Sequence, residues 1–209
     1  MWTRGFRNTY SCEVIRLDYP EKELVGRVRR GDVQAFEELI SSYEKRILNI
    51  ALGMLGNYDD ACDVAQEVCL KIYRSINSFR DNSSFSTWVY RITANTCLDA
   101  LRKREKTVHM TAISGDGEKF EIQTPDSQRS IDDLVESRET SDIVRSCISE
   151  LMPEYRIIII LRDIYGYSYQ EISYILNTNV GTVKSRLNRA RALLKDRIKK
   201  REPFDDIDV

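Results

Sequence analysis

Histidine is almost missing: the chain of 209 residues has one, His109, in a polar stretch. Imidazole acid–base chemistry would have to rest on that single loop residue, which disfavours it. Cysteine is sparse and poorly spaced for chemistry. The five thiols, at positions 12, 62, 69, 97 and 147, make an odd count with no C-x-x-C pair. That pattern suits neither a disulfide framework nor a zinc cage and reads as ordinary reduced, mostly buried thiols. No apolar run approaches the roughly 18 residues a membrane span needs. Residues 1–20 hold Trp2, Phe6, Tyr10, Arg4 and Arg7 but no continuous apolar segment, so no signal peptide is expected. The chain is therefore read as cytoplasmic, without direct membrane insertion. G-x-S-x-G, a Walker loop and H-E-x-x-H are all lacking, and no carboxylates are paired by an obvious motif. The reading is of a protein that is not an enzyme and needs no metal and no cofactor.

What is present is charge, unevenly placed. The totals nearly cancel, 32 Lys+Arg against 33 Asp+Glu, a formal net charge of -1. Yet the stretch that begins "VGTVKSRLNRARALLK" at Val180 carries nine basic residues and one acid, Asp196, between Lys184 and Arg201. At 31% charged and 42% hydrophobic, the composition is that of an ordinary soluble chain of one or two small domains.

Hydrophobic periodicity divides the chain into two helical blocks. The first runs from about residue 21 to 106. After "RRGD", Asp32 is placed to cap a helix, and Phe36, Leu39/Ile40, Tyr43, Ile47, Ile50/Ala51 and Met54 recur at a helical period. "GNYDD" breaks that pattern at Gly56. A second helix follows, with Ala61, Val64/Ala65, Val68, Ile72 and Ile76 on its inner face. "SFRDNSSFS" is rich in turn formers. A third helix starts near Ser86 with Trp88, Val89 and Ile92 inward and runs out in "RKREK". Residues 107–130 read as a flexible linker, with Gly115, Gly117, Pro125 and few large apolar side chains. Between Gly115 and Asp142 there are nine acids and three bases, a solvated stretch with a weaker case for masking the basic end.

The second block covers about 131–201. "MPEYRIIIILRDIYG" is ambiguous, because its apolar run suits a buried strand. Pro153 as a helix start and Gly166 as a stop favour a helix. In "SYQE", Ser168 and Glu171 fit a capping box, and Ile172, Ile175 and Leu176 give the following short helix its apolar face. "NTN" makes a tight turn. The next helix turns Val183, Leu187, Ala190, Leu194 and Ile198 inward, which completes a helix-turn-helix pattern. That leaves Lys184, Ser185, Asn188 and Arg189 outside. These are side chains able to read base edges, with further bases nearby to hold phosphates. A merely solvated face would mix charge signs, and this one is almost purely positive.

Together the blocks resemble a known family. "YDDACDVAQEVCLKIYRSINSFRDNSSFSTWVYRITANTCLDALRKR" is similar to region 2 of bacterial sigma factors, and "SYQEISYILNTNVGTVKSRLNRARALL" to region 4. Two such domains with no third between them resemble the extracytoplasmic-function (ECF) group. The likeness covers roughly 21–201. It leaves residues 1–20 and the acidic tail 202–209 unassigned. It implies an all-α fold, with a three- or four-helix region 2 joined by a flexible linker to a helix-turn-helix region 4. It implies that Asp63, Gln66 and Glu67 dock on the β′ clamp helices of core RNA polymerase. It also implies that Phe79, Asn82, Ser83 and Asn95 capture an unpaired base of the -10 element, with Arg102 and Arg104 on nearby phosphates. Lys184, Ser185, Asn188 and Arg189 would read the -35 element. Trp88 is assigned to the core, and Phe85 suits the core as well. Relatives are usually held by an anti-sigma factor, often membrane-anchored, so the resemblance extends that expectation to this chain.

The resulting expectation is an alternative sigma factor that directs promoter-specific initiation. Two rivals stand beside it. A stand-alone helix-turn-helix regulator would have no use for the "DVAQE" face or the "RDNSSFS" loop. An enzyme would need a catalytic constellation, and a pure scaffold would need no basic recognition helix.

Overall fold

The computed structural model describes residues 19–80, 83–113 and 143–201. Every regular element among them is helical: α1 (Glu21–Arg29), α2 (Val33–Leu55), α3 (Tyr58–Ser75) with a 3-10 turn (Ile76–Ser78), α4 (Phe85–Ile113), α5 (143–149), α6 (Pro153–Ile159) continued by a π-helical turn (Ile160–Ile164), α7 (Tyr169–Ile175) and α8 (Val180–Arg201). The all-α class forms as expected. The chain divides into two compact units, 1–45 and 46–209.

In the first unit, α1 places Glu21 and Glu23 in its first turn and Arg27 and Arg29 in its last, matching the helix dipole at both ends. Leu24, Val25 and Val28 form its buried stripe. The chain reverses at Gly31, whose φ of 89° suits glycine. Asp32 then does what its position before an apolar stripe predicts: its Oδ1 accepts the Ala35 N–H at 3.0 Å. The same carboxylate meets Arg27 Nη2 at 2.8 Å. The Ala35 N–H and the Arg27 guanidinium hold the Asp32 carboxyl below its ordinary range. Tyr43 donates to Glu21, tying α2 back to α1. The sequence reading had assigned no separate helix to 21–29.

The second unit begins within α2. Ile47, Ile50, Ala51 and Met54 are buried there, as are Ala61, Val64, Ala65, Val68 and Ile72 on α3. Asn57 caps α3 by accepting the Asp60 N–H at 3.0 Å. Helix α4 packs along α3 and also touches α6 and α7. Residues 157–161 are buried without exception. A helix covered on every side has no polar face, so its sequence is a plain apolar run with no periodicity to identify it. Pro153 occupies the first turn of α6 and Gly166, with φ 74°, ends the segment. Between them the helix widens, and the Tyr165 N–H reaches the Ile160 carbonyl five residues back at 3.1 Å. The capping box at α7 is complete: Ser168 N–H donates to Glu171 at 2.8 Å, and Glu171 N–H to Ser168 Oγ at 3.2 Å. Asn177 takes φ 48° in the turn, and Asn179 caps α8 by accepting the Thr182 N–H at 2.7 Å.

Three expectations need correction. Helix α4 does not run out at "RKREK" but continues to Ile113, so residues 107–113 of the expected linker are helical. Ile92 is only half-buried. The stripe of α8 is buried at Val183, Leu187 and Ala190 but only half-buried at Leu194 and Ile198, since α8 outruns the helices that cover it.

Candidate nucleic-acid and polymerase interface

Helix α8 supplies the basic face. Its buried stripe turns Lys184, Ser185, Asn188 and Arg189 outward, and all four are exposed. Ser185 Oγ donates to the Thr182 carbonyl at 3.0 Å, so its hydroxyl is already oriented near the helix start. Lys184 Nζ sits 5.8 Å from the centre of the Tyr169 ring, and the Arg162 guanidinium lies 4.8 Å from the same ring. Tyr169 opens α7, so the N-terminal end of α8 is where the two helices hold cations together.

The positive charge of α8 is only partly available. Arg191 forms a two-pronged pair with Asp163, its Nε at 3.1 Å, and that partner raises the guanidinium pKa. Arg197 Nη1 lies 3.2 Å from Glu150, and Arg201 pairs with the same carboxylate while donating to Ser146 Oγ at 2.6 Å. Arg191, one of the bases near the reading face, is thus held on the π-helical turn. Lys184, Arg186, Arg189, Lys195, Lys199 and Lys200 form no ion pair among the described residues.

On α3, Asp63, Gln66 and Glu67 are all exposed and share one side of the helix. Lys71 reaches Glu67 at 2.7 Å, and that hydrogen bond holds the Glu67 carboxyl below its ordinary range. Leu70 stands on the same side, 54% exposed, with Tyr73 beside it. Sequence reasoning missed both. The available signal was that Leu70 falls outside the buried stripe of α3, so a large apolar side chain had to face solvent.

Among the described residues, those assigned to the -10 element are not brought into one pocket. Phe79 is buried, with 6% exposure, in a cluster with Phe85 and Trp88 at centroid distances of 5.3 and 5.4 Å. Its ring face is thus committed to the core rather than offered as an open stacking platform. Trp88 and Phe85 are core residues, as assigned, 5.6 Å apart. Ser83 is half-buried just ahead of Ser84, whose Oγ accepts the Thr87 N–H at 3.2 Å to start α4. Asn82 lies outside the described residues. Asn95 is exposed on α4, about two turns or 10 Å along from Trp88 and on the same side of the helix. Trp88 and Asn95 therefore stand at separate points along one face of α4. Arg102 pairs with Asp99 at 3.3 Å, while Arg104 turns toward α3 and Asp60 at 3.6 Å. The two arginines point about 160° apart and do not serve the same contact.

Among the described residues no group of His, Cys, Asp or Glu is arranged to hold a metal. Cys97 and Cys147 are buried, and burial pushes the Cys97 thiol up to about 12. No described helix is long and apolar enough to cross a membrane.

Comparison with known proteins matches the chain to the Sigma-70 region 2 family over residues 39–107 and to the Sigma-70, region 4 family over residues 141–194. The chain is 34% identical over 180 residues to the ECF RNA polymerase sigma factor SigW of Bacillus subtilis (strain 168), covering 85% of this chain and 96% of that one. It is 35% identical over 186 residues to the ECF RNA polymerase sigma-E factor of Escherichia coli (strain K12), covering 85% and 94%. Among solved structures, the sigma factor RpoE in complex with the anti-sigma factor NepR from Bartonella quintana aligns with a TM-score of 0.59 and 25% identity, over 78% of this chain and 96% of that one.

Proposed function

The chain belongs to the ECF group of RNA polymerase sigma factors, and from that premise we propose how its surfaces divide the work of promoter-specific initiation. Residues 21–106 form region 2 and 131–201 form region 4, with a linker between them that begins after α4. The exposed side of α3, with Asp63, Gln66, Glu67 and now Leu70, docks on the β′ clamp helices of core polymerase. The "RDNSSFS" loop, with Asn82 and Ser83, takes a base from the melted -10 strand. Asn95 hydrogen-bonds a second position further along α4, and Phe79 supports the loop from beneath. Arg102 follows the strand's phosphates. Arg102, paired with Asp99, and Arg104, paired with Asp60, each contribute once those pairs open.

Lys184, Ser185, Asn188 and Arg189 enter the major groove at the -35 element. Strand separation is stabilised by capturing bases once they leave the stack. The polymerase does the chemistry, and this chain adds no catalysis of its own. It acts in the cytoplasm with the polymerase, under an anti-sigma factor that covers these same surfaces.

The observation that carries this reading is the order of the two matched regions in one chain, with an outward face on α8 whose Lys184 and Arg189 form no ion pair among the described residues. A stand-alone helix-turn-helix regulator accounts for the second region and leaves the first without a role. The test is co-elution of the purified chain with core polymerase, followed by transcription from candidate promoters. A chain that binds promoter DNA but neither co-elutes nor redirects polymerase would overturn the proposal.

A further inference from the structure

We propose that the acidic tail, residues 202–209, folds back along the C-terminal half of α8 and takes the place that DNA phosphates would occupy there. The inference rests on the DNA-binding role proposed for α8 above. Such a contact withholds the free chain from DNA of indifferent sequence. The tail lies outside the described residues, and its chemistry is read from the sequence. "EPFDDIDV" holds four acids, Glu202, Asp205, Asp206 and Asp208, and no base. Phe204 and Ile207 are set among them.

The seat is the part of α8 that outruns the helices covering it. Lys195, Lys199 and Lys200 are exposed there and form no ion pair among the described residues. Leu193, 40% exposed, is the one large apolar side chain that α8 turns fully to solvent. Around the helix axis Lys200 lies about 20° to one side of Leu193, Arg186 about 20° to the other, and Arg189 about 40° away. Asp196, the lone acid of the stretch, stands at the rim, about 60° from Leu193. An apolar foothold between cations suits a strand that alternates acids with Phe204 and Ile207.

The tail starts from a fixed point. Arg201 pairs with Glu150 and donates to Ser146 Oγ at 2.6 Å, which holds the last turn of α8 against the end of α5. Proline breaks a helix and favours extended backbone in the residue before it, so Pro203 and Glu202 direct the chain out of α8. An extended chain advances by at most about 3.5 Å per residue, a helix by about 1.5 Å. After a reversal at Pro203, Ile207 therefore reaches about 14 Å back along α8, where Leu193 stands about 12 Å from Arg201. Asp205 and Asp206 fall among Lys195, Lys199 and Lys200, and Asp208 comes level with Arg189. Lys184, about 26 Å from Arg201, lies beyond them. The tail thus competes chiefly with phosphates and leaves the start of the recognition helix accessible. Exposed ion pairs are individually weak. A short tether offsets this by holding the acids at an effective concentration of roughly millimolar.

Two full-length variants separate a seated tail from one that only carries charge. The first, Phe204→Ser with Ile207→Ser, removes the apolar contacts and keeps every charge. The second, Asp205→Asn, Asp206→Asn and Asp208→Asn together, removes the charge. A carbodiimide, which joins carboxylates to amines in contact, should link the tail acids of the wild type to Lys195, Lys199 or Lys200 within one chain, as read by mass spectrometry. Those links should fall several-fold in the first variant. Both variants should bind duplex of random sequence more tightly, by roughly two- to ten-fold, because the apparent dissociation constant falls as the open fraction rises. A first variant that matches the wild type in its links, or in duplex affinity where the wild type binds duplex, would overturn the proposal. So would links that form between copies in a mixture of isotope-labelled and unlabelled chains. Should the links be lost in the first variant while no form of the chain binds duplex, alone or as holoenzyme, the seat stands and the DNA role of α8 falls.

Discussion

Among individual residues, position along α8 is expected to separate those that choose a sequence from those that only hold DNA. Arg189 and Lys195 lie on the same helix and neither forms an ion pair among the described residues. Residues near the N-terminal end of a recognition helix reach the bases, and those further along meet the backbone. Arg189→Ala should therefore cost about 1–3 kcal/mol and relax preference at one base position. Lys195→Ala should weaken every sequence about equally and lower the salt slope by up to about one. Holoenzyme binding to a set of -35 variants at several salt concentrations measures both. If Arg189→Ala lowers all affinities while their ranking holds, Arg189 is a backbone contact.

Asn95 carries a different signature. Its proposed partner exists only after a base has left the stack, so Asn95→Ala should leave duplex binding nearly intact and slow strand opening. Permanganate footprinting on a linear template, against one with a pre-melted bubble, separates the two. A defect the bubble does not rescue at all removes the assignment. Aromatic residues were the least legible from sequence. Phe79, read as part of the base-capturing pocket, is 6% exposed in one cluster with Trp88, which was assigned to the core. Neighbours that far apart in sequence cannot be counted from a local pattern.

Helices were legible where their determinants are local. Asp32 and Ser168 cap the helices that follow them, because capping is decided within three or four residues. The inner face of α3 could likewise be read from period alone. The π-helical turn could not, because it arises where a fully buried helix meets its neighbours and leaves no periodic mark. The overrun of α4 past "RKREK" was hidden for a related reason, since charged residues suit a solvated helix as well as a linker.

The proposed polymerase face belongs to this scale, being a property of α3 rather than of one side chain. Reversing Asp63 and Glu67 to Lys should leave the fold in place, because both are exposed and the lost Glu67–Lys71 pair contributes only about 0.3–0.5 kcal/mol. Core binding should fall by at least about ten-fold as attraction becomes repulsion. Competition with the wild-type chain for core polymerase, alongside circular dichroism, measures both effects. A folded double variant that competes normally would detach this face from polymerase.

For the molecule as a whole, the net charge of -1 says little about DNA, since local potential steers binding. The structure adds that some of the local potential is held in check. Asp163 pairs with Arg191, and Glu150 with Arg197 and Arg201. These pairs are largely exposed and contribute little to stability, yet they withhold three of the nine bases between Lys184 and Arg201 from phosphates. Asp163→Asn with Glu150→Gln removes two negative charges, taking the formal net from -1 to +1, and frees all three guanidiniums. Binding of the full chain to duplex of random sequence should then tighten. Its dependence on salt should steepen by up to about 0.9 in log–log slope for each phosphate gained. Discrimination between -35 variants should narrow, because the added affinity is indifferent to sequence while the groove contacts are unchanged. Titrations at several salt concentrations, with random and -35 duplexes side by side, measure all three quantities. An unchanged slope would mean that Arg191, Arg197 and Arg201 face away from the duplex, and that the groove-facing end of α8 carries the electrostatic attraction alone.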